Sequence, residues 1–254
     1  MVFGSLKELG IGYDTGSGFF DNSKPTLVMI HGAGGCATNW RYQIDQLINS
    51  FNTIAIDLPG HGRTSGPAMN RIEEYANWLM NLLVEHFPEP VYLMGHSMGG
   101  AIVQETAILY PELLKGIILV ATGPILKVSP IFMEGFKDRF EETVDILGGY
   151  LCSSAVDPEL VKENINEMKG QGQKTVFADF SACDHFDRRN DLKKIEIPCL
   201  IICGDNDMLT PESLSKKLND NIAGSILKVL PSAGHMVFLE KPDELNECVR
   251  EFIE

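Results

Sequence analysis

Short apolar runs of β-forming residues alternate with stretches of helical periodicity along most of this chain. That alternation is its strongest constraint. Thr26 to Ile30, Phe51 to Ile56, Val91 to Met94, Gly116 to Ala121, Pro198 to Cys203 and Ser225 to Leu230 read as strands. The clearest of them are apolar throughout, as strands are when helices cover both faces of a parallel sheet. Asn39 to Asn49, Arg71 to Phe87 and Met98 to Leu109 carry helical patterns. A final helix begins at Pro242, with Leu245, Cys248, Val249 and Phe252 on one side. Asn70, with Glu73 three residues on, reads as the cap of the second helix, and Pro111 stops the third. The pattern predicts an α/β fold with a doubly wound, mostly parallel sheet.

Between Thr122 and Glu196 the alternation stops. Phe132, Phe136, Phe140 and Val144 recur every four residues. Asp157-Pro158 signals a helix start, followed by Leu160, Val161, Ile165 and Met168, with Gly170 at its end. Val176, Phe177 and Phe180 suggest a further short helix. This stretch reads as a helical cap inserted into one domain, with a core of residues 1–122 and 196–254 and a cap of 123–195.

A net charge of −14 argues against nucleic acid and anionic membrane surfaces as partners, since both require a positive footprint. No apolar stretch is long enough to span a bilayer. Lys7 and Glu8 interrupt the apolar character of the first residues, so no signal peptide is read there. None of the six cysteines forms a C-x-x-C pair, and no His/Cys cluster has zinc spacing. Cys199 and Cys203 fall in an apolar strand and read as core residues. Arg188, Arg189, Lys193 and Lys194 read as a basic patch on a solvated face. The expectation is a cytoplasmic protein with no metal and no cofactor.

The chemistry is concentrated in four segments. Gly95-His96-Ser97-Met98-Gly99 lies directly after the strand ending at Met94 and directly before a helix, the setting that G-x-S-x-G requires. Such a turn lifts a serine hydroxyl above the carboxyl ends of the strands, and glycine is needed where the backbone folds tightly on itself. Ser97 is therefore the candidate nucleophile. His31-Gly32-Ala33-Gly34-Gly35 follows the first strand. Acyl transfer needs two N–H donors for a developing oxyanion, and Met98 and Ala33 are the candidates. Gly204-Asp205-Asn206-Asp207 and Gly234-His235 follow later strands and supply an acid and a base. Asp207, further into its loop, is preferred over Asp205 as the acid, and His235 is the general base.

With the order Ser, Asp, His along the chain, residues 26–122 and 196–254 resemble the α/β-hydrolase superfamily, in its compact serine esterase branch with a helical cap. Asp57-Leu58-Pro59-Gly60-His61-Gly62-Arg63-Thr64-Ser65 is similar to a D-x-P-G-x-G-x-S turn common in that superfamily. Epoxide hydrolases and haloalkane dehalogenases carry Asp where Ser97 stands. Carbon–carbon bond hydrolases often have Asn where this chain has His96. The resemblance implies a carboxylic ester hydrolase acting on a small-molecule ester through an acyl-enzyme on Ser97. Thioester, lactone or carbon–carbon cleavage on the same residues, and a non-catalytic ligand-binding receptor, stay open as alternatives. His96 is the further residue expected to touch substrate.

Overall fold

The computed structural model describes residues 6–16, 20–154 and 156–254. One seven-stranded sheet runs in the order β1-β3-β2-β4-β5-β6-β7. Its strands are β1 Tyr13–Thr15, β2 Thr26–Ile30, β3 Asn52–Ile56, β4 Val91–His96, β5 Leu114–Val120, β6 Cys199–Gly204 and β7 Ile226–Leu230. All neighbours pair in parallel except β1, which runs antiparallel to β3, with Tyr13 opposite Ile56. From β2 the chain moves outward to β3, then crosses back over β2 to β4 and continues the other way. The carboxyl ends of β2 and β4 therefore flank the switch point, where open α/β sheets bind their ligands.

The α-helices used below are α1 Arg41–Leu47, α2 Ile72–His86, α3 Met98–Leu109, α4 Pro130–Asp138, α5 Phe140–Gly148, α6 Pro158–Gln171, α7 Gln173–His185, α8 Glu212–Asn221, α9 Val237–Glu240 and α10 Pro242–Ile253. Both faces of the sheet are covered. Val28 and Ile30 pack in one layer with Leu82, Ile102 and Val103, while Leu27 and Met29 pack in the other with Trp40, Phe238 and Val249. Successive strand residues point to opposite faces, so burial of both faces demands the unbroken apolar runs seen in the sequence.

Four helices, α4 to α7, fill the stretch between β5 and β6. They share an apolar cluster of Phe136, Val144, Leu147, Met168 and Val176, and the Phe136 and Phe180 rings stack with centroids 4.4 Å apart. Farther along, Ala182 and Cys183 of α7 join the main core beneath the sheet. The inserted helices are thus continuous with the core at their C-terminal end. Among the described residues no helix is long and apolar enough to cross a membrane.

One strand is added to those read from sequence, and three local readings need correction. β1 is too short for a strand pattern to register, and it gains its place by adding to the edge of β3. α2 begins at Ile72 with Arg71 as its N-cap residue and no side-chain cap bond, so Asn70 does not cap it. α6 runs past Gly170 and stops at Gly172, whose φ of 85° and ψ of 155° lie in an extended region that only glycine adopts readily. The basic patch is also not simply a solvated face. Arg188 reaches back to the buried Glu105 on α3 and to Glu73 on α2, Arg189 pairs with Asp187, and Lys194 pairs with Asp191.

Arg188 ties the segment after α7 to the helix that follows Ser97. Arg188→Ala leaves the Glu105 carboxylate buried and unpaired, which costs about 3 kcal/mol. The expected drop in melting temperature is roughly 6–12 °C for a domain of this size, and an unchanged melt would contradict the assignment of this pair.

Candidate active site

Ser97 sits between β4 and α3 with φ 51° and ψ −112°, a conformation that few non-glycine residues adopt. The bend is held from both sides. The Ser97 amide donates to the Val120 carbonyl at 3.0 Å, and the Thr122 hydroxyl donates to the Ser97 carbonyl at 2.8 Å. A Cβ on Gly95 would collide with the Gly99 carbonyl, and one on Gly99 with the carbonyls of Ile30 and His31. The two glycines are therefore what let the elbow close and let α3 start against the end of β2.

Asp207 and His235 come from the loops after β6 and β7. His235 Nδ1 donates to Asp207 Oδ2 at 2.9 Å, and both side chains are buried. The acid is fixed by three more donors. The Leu209 and Thr210 amides reach Oδ1 at 2.9 and 2.8 Å, and the Thr210 hydroxyl reaches Oδ2 at 2.8 Å. Burial opposes ionisation of Asp207, but His235 and these hydrogen bonds outweigh it and hold its carboxyl below the ordinary range. Asp205, the competing acid, is exposed and accepts from its neighbour Asn206. With Nδ1 donating to a carboxylate, the neutral His235 imidazole keeps Nε2 as its basic nitrogen.

His96 packs its ring 4.7 Å from that of His235 and 4.7 Å from Phe238, and its Nε2–H donates to the His235 carbonyl at 3.0 Å. The residue before Ser97 thus holds the backbone of His235 beside the elbow. Burial, and then His235 itself, push the His96 imidazole well below its ordinary pKa, so it stays neutral.

The loop after β2 is also tightly held. His31 Nδ1–H donates to the Gly32 carbonyl at 2.8 Å, and the Leu58 amide donates to His31 Nε2 at 3.1 Å. That pattern specifies neutral His31, whose pKa is pushed down to about 4 by burial and by neighbouring His61. Asp57, opening the Asp57–Ser65 loop, accepts from the Ala37 amide and from Arg63. The two loops brace each other.

One cavity of about 390 Å³ brings these parts together. Ser97, His96 and His235 line it, with Ala33 on the β2 loop. Leu126, Phe132, Leu147, Met168 and Phe180 supply apolar walls, mostly from the inserted helices. The aromatics of the inserted helices thus have two places: Phe132 and Phe180 face the cavity, while Phe136 is interior. Met98 is fully buried at the start of α3. Glu167 is the one acidic side chain among the described residues lining the cavity. Burial pushes its carboxyl upward against hydrogen bonds from Asn39 and Thr38, at 2.6 and 3.2 Å. Sequence reasoning missed Glu167, Thr210 and the buried Asp179. Only Thr210 left a trace, as a hydroxyl three residues after an acid in a turn.

The profile of the alpha/beta hydrolase family matches residues 27–247, and the chain belongs to that family. Its relatives include a pimeloyl-[acyl-carrier protein] methyl ester esterase of Aeromonas hydrophila, 25% identical over 247 residues that cover 90% of this chain and 95% of that one. A solved thermophilic esterase superposes with a TM-score of 0.82 at 32% identity, covering 91% of this chain and 90% of its own. The enol-lactonase of Burkholderia xenovorans LB400 superposes with a TM-score of 0.89 and 96% coverage of both chains. At 19% identity, that likeness is one of fold.

Two predictions follow from this geometry. Ser97→Gly relieves the backbone at φ 51° and raises stability by about 1 kcal/mol, read as a higher melting temperature. A lower one would contradict the strain. The second concerns acid. The unfolded chain takes up a proton on His31 near 6.5, the folded one near 4. Stability is full above that interval and is lost as pH falls through it. Asp207, held low, adds loss in the same direction at lower pH, whereas His61, held high, contributes most below its ordinary value. Thermal melts from pH 7 to 4 should fall more steeply for the wild type than for His31→Asn, and parallel curves would refute this.

Proposed function

We propose that this protein is a carboxylic ester hydrolase with Ser97 as nucleophile, His235 as general base and Asp207 as the acid that orients it. The observation carrying this reading is that the His235–Asp207 pair opens onto the same cavity as the strained Ser97. The named esterases among its relatives support it.

In the first step His235 Nε2 takes the Ser97 proton as the hydroxyl oxygen attacks the ester carbonyl carbon. The Met98 and Ala33 amides hold the oxyanion. Collapse breaks the bond to the alkoxy group, which leaves as the alcohol with the proton from His235. Water, deprotonated by His235, then attacks the acyl-enzyme. The acid is released and Ser97 regains its proton. Asp207 keeps the productive imidazole tautomer and stabilises its cation. His96 sits at the wall of the site as the residue beside substrate and His235. Residues 123–195 serve as the cap. Their apolar walls and Glu167 favour uncharged acyl chains of short to medium length, because a second carboxylate in a poorly solvated cavity is disfavoured and Lys127, the one lysine among the described lining residues, is already engaged by Asp184.

Ser97→Ala is expected to lower turnover of a p-nitrophenyl ester by roughly 10⁶ and Asp207→Asn by about 10⁴. A panel of neutral alkyl esters, half-esters bearing a free carboxylate, thioesters and lactones tests the substrate class. Neutral esters should give the highest kcat/KM. Near-full activity in Ser97→Ala would overturn the nucleophile, and a preference for half-esters would overturn the role given to the cavity.

A further inference from the structure

A carboxylate lies fully buried where α7 meets the two loops of the core. Asp179 Oδ2 accepts from the Gly34 amide at 2.8 Å and from His61 Nε2 at 2.8 Å, and Oδ1 accepts from the Tyr75 hydroxyl at 3.0 Å. The Asp179 and His61 side chains have no solvent exposure. His61 Nδ1 lies 3.1 Å from the Pro59 carbonyl. Burial opposes a charge on His61, but Asp179 and the hydrogen bonds at both ring nitrogens outweigh it and hold the imidazole above its ordinary range. A pair buried in this way is a poor source of stability compared with apolar side chains of the same volume, which directs attention to what the carboxylate holds.

What it holds is the loop of the oxyanion donor. The Gly35 amide donates to the Gly32 carbonyl at 3.1 Å, and His31 Nδ1–H donates to the same oxygen at 2.8 Å. In a trans peptide the carbonyl and the next N–H point in opposite directions. Pinning the Gly32 carbonyl inward turns the Ala33 N–H the other way. The next peptide is pinned by its N–H, at Gly34, to Asp179. Gly34 has φ 67°, and a Cβ there would run into Met168 of α6. The peptides on both sides of Ala33 are thus fixed, one by the core and one by an inserted helix.

We propose that Asp179, held by hydrogen bonds from His61 and Tyr75, is the positioning residue of the oxyanion loop, setting the Ala33 amide for the transition state. This rests on the esterase reading of the site. On this account the inserted helices supply part of the catalytic geometry as well as the cavity wall.

Asp179→Asn keeps the side-chain shape but removes the charge and one lone-pair-bearing oxygen. With active sites counted by fluorophosphonate labelling, kcat for a neutral p-nitrophenyl ester should fall about 10²-fold, the scale of losing an oxyanion donor. KM should stay within about threefold, since ground-state binding is untouched. Inhibition by an alkyl boronic acid, which places an anionic oxygen in the hole, should weaken in step with kcat. Arg188→Ala, destabilised elsewhere, is the control and should keep its kcat per labelled site. Unchanged kcat and boronate binding in Asp179→Asn, or an equal loss in Arg188→Ala, overturns the proposal. A wild type that hydrolyses no ester overturns the esterase reading instead. Should Asp179→Asn fail to fold, the wild-type Gly34 amide resonance decides. It should lie downfield and be protected from exchange, and exchange at the rate of an exposed loop amide overturns the proposal.

Discussion

The site depends on one close approach, that of the first turn of α3 against the carboxyl end of β2. Gly99 rests on the carbonyls of Ile30 and His31, so the serine elbow and the loop after β2 are neighbours with no side chain between them. The strand order makes this contact available, because only at the switch point do two adjacent strands send their chains to opposite faces. Ser97 takes a backbone conformation costing on the order of 1–3 kcal/mol. The surrounding ladder, together with Thr122, over-determines it.

The charges around that contact are distributed with some economy. Three histidines lie in or beside the cavity's inner wall, and their hydrogen bonds assign each a form. His31 and His96 donate through one nitrogen and are held below their ordinary range, whereas His61 faces an acceptor at each nitrogen and is held above its ordinary range by Asp179. A second imidazolium on His96, whose ring packs 4.7 Å from that of His235, would oppose the proton transfer proposed for His235, by like-charge repulsion in a poorly solvated site.

The sequence made some of this visible and hid the rest for physical reasons. Strands buried on both faces announce themselves as apolar runs, so β2, β4 and β6 were legible to within about two residues of their ends, the usual margin of boundary assignment. β1 was not, because three half-buried residues carry no pattern. The turns that carry Ser97 and His235 were readable because the glycines beside them leave a local signature. The choice between Asp205 and Asp207 rested on loop position alone. Burial and the bond from Thr210 distinguish the two aspartates in the fold, and neither is a property of spacing. α7 was underestimated because Asp179 interrupts its apolar face, and its partner His61 lies 118 residues away. A buried charge satisfied at such a distance leaves no local trace.

The central claim is that Ser97 becomes covalently acylated, and peptide mass mapping tests it most directly. Rapid acid quench during turnover of a slowly hydrolysed ester, followed by proteolysis, should find one acyl group, and it should sit on Ser97. Acyl mass on a cysteine or lysine, or none at any stage of a reaction that demonstrably proceeds, would contradict the account.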